Sequence, residues 1–106
     1  MSWQYCVTAT LKDQSACEAY LEWLIDGHVQ AVLRWATHAE VIIHEEDIPP
    51  RVQSLYHFKD LSAYDRYLEE GASMLRQEGL LLAQRLGGIE FQRTLGSRYW
   101  VSSDEG

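Results

Sequence analysis

The sequence predicts an α+β fold in which two helices cover one face of a four-stranded antiparallel sheet. Three observations lead to this prediction. Two short segments alternate apolar and polar residues and two others flank a Pro-Pro turn, two longer segments repeat apolar residues at spacings of three and four, and the order is strand, helix, strand, strand, helix, strand. Right-handed crossovers turn this order into the split βαβ arrangement. We expect residues 1–106 to form one domain, with its core in 3–95 and a tail in 96–106.

The first strand and the first helix lie within residues 3–35. The segment WQYCVTATL, residues 3–11, alternates as a half-buried strand does. Ser15 stands three residues before Glu18, which is the spacing of a capping box and predicts a helix that begins there. Gly27 weakens this helix, because glycine costs about 1 kcal/mol relative to alanine in a helix interior. The apolar face of the helix carries Cys17, Tyr20, Leu21, Leu24, His28, Ala31, Val32 and Trp35.

The second half of the chain supplies the other elements. HAEVIIHEED, residues 38–47, predicts the second strand, the prolines at 49–50 predict a turn, and VQSLYHF, residues 52–58, predicts the third strand. Asp60 or Ser62 is expected to cap a second helix over residues 61–86, which the glycines at 87–88 end. IEFQRTL, residues 89–95, predicts the fourth strand.

One sheet face remains without helices in this arrangement. We expect a second copy of the chain to cover it and so to form a homodimer, because its side chains are too apolar for a fully solvated surface. These side chains belong to Gln4, Cys6, Thr8, Leu55, His57 and Gln92, with the aromatic residues of the tail beside them.

Composition and charge narrow the possible partners. The net charge is -7 and the basic residues are scattered, which argues against nucleic acid and anionic membranes as partners. The longest apolar runs are far below the ~18 residues of a membrane span, and the first residues do not resemble a signal peptide. With only two cysteines and no metal-type spacing, the sequence predicts a cytoplasmic protein without cofactor or metal.

Several segments resemble a small bacterial family of unknown function in the dimeric α+β barrel superfamily. They are YCVTATL, AYLEWL followed by GHV, YHFKDLSAYDRYLEEGASMLRQEGL and IEFQRTL, and the resemblance extends over residues 3–95. Its most specific parts are W-x4-H from Trp23 to His28, LRQEG at 75–79 and F-x-R from Phe91 to Arg93. Relatives have Ile-Pro after the histidine, where this chain has Val29-Gln30, and a proline near Ser73 that this chain lacks.

The resemblance implies a ferredoxin-like fold paired into a dimer and no known reaction for the family itself. The wider superfamily is similar in fold to cofactor-free antibiotic-biosynthesis monooxygenases, to muconolactone isomerase and to heme-degrading enzymes. Their pockets lie between the helices and the sheet of each subunit. A likeness of fold carries no function by itself.

Four residues are the candidates for a ligand site between helices and sheet. His28 is the best catalytic candidate, as a general base or as a partner for a polar ligand atom, and its alternative is a core histidine bonded to a backbone carbonyl. Arg93 would hold an anionic group, or would form a structural ion pair with Asp26, Glu22 or Glu78. Trp35 and Tyr56 would provide aromatic walls, or simply fill the core.

Other polar residues are weaker candidates. A metal site of His38, Glu40, His44 and His57 needs a strand register that the sequence does not fix, and Cys17 in the first helical turn is best interpreted as a small buried residue. Three functions remain: a dimer that binds a small apolar or aromatic molecule, a cofactor-independent monooxygenase or isomerase, and a purely structural dimerisation module. The sequence supplies one candidate base and no convincing second catalytic group, so the first of these functions, binding without catalysis, is favoured.

Overall fold

The computed structural model describes residues 2–102 and contains a four-stranded antiparallel sheet. Its strands are β1 (Trp3–Leu11), β2 (His38–His44), β3 (Arg51–Phe58) and β4 (Ile89–Ser97), in the order β2-β3-β1-β4. All three strand pairs are antiparallel, which confirms the predicted topology. The acidic residues 45–47 belong to the turn and not to β2, and Arg51 pairs with Asp47 at 2.7 Å across that turn.

Two helical segments connect the strands, and each contains a five-residue turn with π-type hydrogen bonding. In the first of these π-helical turns Asp26 and Gly27 leave the helical conformation, so it is a kink between two helices. The first segment consists of α1 (Gln14–Trp23), a π-helical turn (Leu24–His28) and α2 (Val29–Val32). The second consists of α3 (Leu61–Tyr67), a π-helical turn (Leu68–Ala72) and α4 (Ser73–Arg85). The weak point at Gly27 was predicted, whereas the interruption in the second helix was not.

The first helix begins at a different cap from the one that the sequence suggested. Asp13, not Ser15, is the N-cap: its backbone is extended and its carboxylate accepts the Ala16 backbone N–H at 2.8 Å. Asp60 caps the second helix in the same way by accepting the Ala63 N–H. The capping-box prediction was wrong because Asp13 is an equally good cap that lies two residues earlier, so it satisfies the first free N–H groups.

Both helical segments pack against the same face of the sheet. One group of buried residues combines Tyr5 and Tyr56 of the sheet with residues of α2, α3 and α4, and a second combines Ala9 and Val52 with residues of α1 and α4. The side chains of these four sheet residues point to the same face of the sheet, because Tyr5 lies opposite Tyr56 and Ala9 opposite Val52 in the register of β1 and β3. The predicted layering of helices on one side is therefore confirmed.

The other sheet face carries the side chains that the alternation assigned to it. Gln4 lies opposite His57, and Cys6 lies opposite Leu55. The residues that follow β4 cross this end of the sheet, where the Arg98 guanidinium donates to His57 Nδ1 at 2.8 Å and the Arg98 backbone N–H donates to the Ser2 carbonyl. Beyond this attachment Tyr99 is 97% exposed.

Candidate functional site

His28 takes its position from the π-helical turn between α1 and α2. Asp26 leaves the helical conformation, and Gly27 has φ 131°, a left-handed value that favours glycine. The Gln30 side chain spans this break: its amide donates to the Ile25 carbonyl at 2.8 Å, and its oxygen accepts the Gly27 N–H at 3.0 Å. The break thus has its own hydrogen bonds, and it turns His28 inward.

His28 lines a small cavity between the helices and the sheet. The cavity has a volume of about 30 Å³, which is room for about two water molecules. Three of the four predicted ligand residues, His28, Tyr56 and Arg93, lie around it. The complete lining is Tyr5, Val7, Tyr20, Trp23, His28, Val32, Tyr56, Tyr67, Leu75, Arg76, Gly79, Phe91 and Arg93.

The His28 imidazole has a free hydrogen-bonding atom at this cavity. Its ring stacks on Trp23, with the ring centroids 4.2 Å apart, and its buried Nδ1 has no hydrogen-bond partner within residues 2–102. Burial, with a smaller effect of Arg93, lowers the pKa of His28 to about 4. The imidazole is therefore neutral at neutral pH. Within residues 2–102 the Nδ1 atom of His28 is not hydrogen-bonded to a backbone carbonyl, so the alternative of a core histidine held by such a bond is not observed.

Arg93 lies on the helix-covered side of β4, opposite Val7. Its guanidinium sits 5.3 Å from the centre of the Phe91 ring and is exposed at one end of the cavity. The two ion pairs of the described residues are Arg51–Asp47 and His57–Glu40. The expected ion pair of Arg93 with Asp26, Glu22 or Glu78 is thus not formed, because none of these carboxylates comes within 4 Å.

Arg76 is a second cationic residue at the cavity, and the sequence interpretation missed it. It lies on α4, is partly buried, and donates from Nη2 to the Tyr5 hydroxyl at 3.1 Å. Its Nε is buried without a hydrogen-bond partner in residues 2–102. The signal was present in the helical spacing, since Arg76 follows the buried Ala72 by four residues and precedes the buried Gly79 by three.

Three tyrosines that line the cavity, Tyr20, Tyr56 and Tyr67, are neutral. Burial is the largest cause that raises the pKa of Tyr20 to about 12, and it raises the pKa values of Tyr56 and Tyr67 as well. Their hydroxyl groups can donate or accept hydrogen bonds, but they supply no negative charge to balance the arginines.

Trp35 lies outside the cavity. Its ring covers Gly71 in the second π-helical turn, where a Cβ atom would overlap the ring, and its Nε1 donates to Glu70 at 2.7 Å. The Trp35 ring also meets Tyr67 edge-on at 5.8 Å. Trp35 therefore joins the two helical segments.

An open groove lies on the outer side of the same site. It runs between the two helical segments, has a volume of about 660 Å³, and shares Trp23, His28 and Leu75 with the inner cavity. The stacked Trp23 and His28 rings thus line both spaces. Its apolar lining includes Met74 and Leu81, and its charged residues are Asp26, Glu78 and Arg85.

The remaining candidates do not form a site. His38 stacks on His57 at 4.0 Å and His57 lies 3.7 Å from Glu40, yet residues 2–102 contain no group of three or more side chains arranged to hold a metal ion. Burial raises the pKa of Cys17, the opposite of what an activated thiol requires. Within the same residues no helix is long and apolar enough to cross a membrane.

Comparison with known proteins identifies the fold. No protein-family model matches the chain, and no curated protein matches it. Among solved structures, an antibiotic biosynthesis monooxygenase-type protein from Deinococcus radiodurans superposes with a TM-score of 0.71 at 16% identity, and the match covers 100% of both chains. SnoaB from Streptomyces nogalater, a cofactor-independent oxygenase, gives a TM-score of 0.69 at 11% identity over 97% of this chain and 98% of that one.

A dimeric ferredoxin-like protein from an uncultured marine organism gives a TM-score of 0.67 at 14% identity over 90% of this chain and 92% of that one. Identities of this size establish a shared fold and leave function to the residues of each site. The structural neighbours of this chain thus include dimeric ferredoxin-like proteins and antibiotic biosynthesis monooxygenase-type proteins, and its fold is the ferredoxin-like α+β fold.

Proposed function

We propose that the protein binds a small apolar or aromatic molecule at the cavity beside His28 and in the adjoining groove. The observation that carries this proposal is the buried Nδ1 of His28, which has no hydrogen-bond partner in residues 2–102 and belongs to a side chain that lines an aromatic-walled cavity. Buried polar atoms are almost always hydrogen-bonded, so this nitrogen calls for a water molecule or a ligand. A polar end fits the inner cavity, and a ring fits the larger groove.

The test uses two aromatic probes, 2-naphthoate and its neutral isostere 2-naphthamide, titrated into the full chain by calorimetry. We expect saturable binding of at least one probe. Gly79→Leu should abolish it, because a Cβ at residue 79 points between Trp23 and Phe91, at 4.0 and 3.8 Å, and a longer side chain fills the cavity. The matched control Gln77→Leu adds the same side chain at an exposed position of α4 and should bind as the wild type does.

Gly79→Ala is a second variant in case the larger side chain disturbs folding. Its methyl group has room at normal contact distance, so the protein should fold and bind more weakly. If neither probe binds the wild-type chain, the proposal is contradicted. The third function, a purely structural dimerisation module, would then be favoured.

A cofactor-independent monooxygenase or isomerase is the second candidate. A neutral His28 beside a cation supports it, since such a pair can accept a proton and steady the resulting enolate. A pKa of about 4 nevertheless makes His28 a weak base: relative to a base with pKa 7, proton transfer costs about 4 kcal/mol more. For this reason ligand binding ranks above catalysis.

Oxidation of 9-anthrone tests the enzymatic candidate. Dioxygen converts anthrone to anthraquinone and water, as the methylene carbon loses its two hydrogens and gains a carbonyl oxygen. A rate above the uncatalysed one that His28→Gln removes would support catalysis. A rate equal to the uncatalysed one would exclude it for this class of substrate.

We further propose that the protein is a homodimer paired through the sheet face that has no helices. Ile42 on that face is 40% exposed, and Trp100, which lines a groove together with Gln4 and Cys6 of the same face, is 77% exposed in the single chain. The structural neighbours described as dimeric ferredoxin-like proteins support this arrangement. Light scattering during size-exclusion chromatography should give twice the mass of the chain at micromolar concentration, and the mass of one chain would contradict the proposal.

A further inference from the structure

We propose that the ligand of this site is an aromatic carboxylate whose carboxylate group enters the inner cavity between Arg76 and Arg93. This inference depends on the binding function proposed above and specifies its ligand. It begins from charge: the lining of the cavity includes two arginines and one histidine and no acidic residue. The site is thus cationic in a chain whose net charge is -7.

Arg76 lacks the anionic partner that a partly buried guanidinium needs. Buried arginines are almost always paired, because removal of the charge from water is costly. Arg76 donates through Nη2 to the Tyr5 hydroxyl, and burial raises the pKa values of the nearby Tyr64 and Tyr67, so these two tyrosines supply no negative charge. The Nε of Arg76 remains a buried donor without an acceptor in residues 2–102.

Arg93 provides a second donor group from the opposite side of the cavity. It comes from β4 and Arg76 from α4, so an anion between them would bridge sheet and helix. In the described residues Arg93 is in no ion pair, and its guanidinium is placed over the Phe91 ring. Arginine donors match the two oxygens of a planar carboxylate, and such charge-assisted bonds are stronger than neutral ones.

The sizes of the two spaces agree with a carboxylate attached to a ring. The inner cavity of about 30 Å³ holds about two water molecules, and the two oxygens of a carboxylate replace them. The ring then extends past Trp23 and His28 into the groove of about 660 Å³. The groove carries two carboxylates, Asp26 and Glu78, against one cation, Arg85, whereas the inner cavity carries two arginines and no carboxylate, so the charged end of the ligand is directed inward.

The two naphthalene probes separate this inference from the binding function. We expect 2-naphthoate to bind at least about tenfold more tightly than 2-naphthamide at pH 7.5, because only the carboxylate makes charge-assisted bonds. Arg76→Gln and Arg93→Gln should each weaken 2-naphthoate binding by about tenfold and leave 2-naphthamide binding unchanged. Arg66→Gln, an exposed residue of α3 outside both spaces, is the matched control and should change neither affinity.

The possible results have different meanings. If both probes bind with equal affinity, the ligand site stands and the carboxylate inference is overturned. If neither binds, the binding function itself is overturned. Within the described chain, Arg93 makes no hydrogen bond on which folding depends. Arg93→Gln therefore tests the inference even if Arg76→Gln unfolds the protein. Equal losses of both probes in Arg93→Gln would also overturn the inference, because they would indicate a general disturbance of the site.

Discussion

At the residue scale, His28 links the site to the pH dependence of stability. Burial lowers its pKa to about 4 in the folded chain, from about 6.5 in the unfolded chain. Below about pH 6.5 the unfolded state therefore binds a proton that the folded state does not bind. The folded state is penalised progressively as the pH falls toward 4, and above pH 6.5 the penalty is absent.

Comparison of the wild type with His28→Gln measures this effect. The difference between their free energies of unfolding should be constant above pH 6.5. Below pH 6.5 the wild type should lose stability relative to His28→Gln by up to about 1.4 kcal/mol per pH unit, down to about pH 4. The contributions of all other titratable groups cancel in this difference. Urea denaturation at several pH values gives this difference. A difference independent of pH would show that His28 is not buried as described.

Two glycines of the second helical segment offer a matched pair of substitutions. Gly71→Ala should destabilise the protein by about 1–3 kcal/mol, because the added methyl group overlaps the Trp35 ring. Gly79→Ala should stabilise it by about 0.5–1 kcal/mol, because its methyl group has room and alanine is the better helix former. Chemical denaturation measures both changes. Equal effects of the two substitutions would contradict the packing of Trp35 on residue 71.

Individual site residues were only partly predictable from the sequence. The alternation in β4 placed Arg93 on the helix-covered side, and the helical spacing placed His28 inward. Arg76 was missed because the polar Gln77 and Glu78 directly after it suggest a solvated face. Trp35 was expected at the ligand site, but Gly71 provides a flat surface that the ring covers. Such a contact between distant segments has no local sequence signal.

At the element scale, the π-helical turn at residues 24–28 positions the site. Gln30→Ala removes both hydrogen bonds that span the break, to the Ile25 carbonyl and from the Gly27 N–H. We expect a loss of about 1 kcal/mol in stability and a several-fold weaker affinity for 2-naphthoate, because His28 is then held less firmly. The control Gln77→Ala lies on the exposed surface of α4 and should have neither effect. An unchanged affinity of Gln30→Ala for 2-naphthoate would show that the turn does not position the ligand-binding residues.

The sequence predicted the kinds of elements better than their ends. Period-two alternation identified β1 and β4, whereas the β-branched centre of residues 38–47 and the turn at the prolines 49–50 identified β2 and β3. The start of the first helix was misplaced because Asp13 and Ser15 are both good caps, and only the extended backbone at Asp13 distinguishes them. The second π-helical turn surrounds Gly71, whose need for a small residue arises from Trp35, 36 residues earlier in the chain.

At the scale of the whole molecule, the one-sided arrangement of helices determines both proposed surfaces. The covered face carries the proposed ligand site, and the open face is the proposed dimer interface. Ile42→Glu places a charge on the open face and should shift the protein toward monomers in size-exclusion chromatography with light scattering. Ile25→Glu is the control, because Ile25 is 60% exposed in the first helical segment. Equal masses for the two variants would contradict an interface on the open face.

A crystal structure of the protein with 2-naphthoate is the most direct measurement of the proposed function. We expect the carboxylate in the inner cavity, within hydrogen-bond distance of Arg76 Nε and near Arg93, with the naphthalene ring past Trp23 in the groove between the helical segments. Only water in the cavity, or the carboxylate at the outer rim of the groove with Arg76 Nε still without an acceptor, would contradict this account.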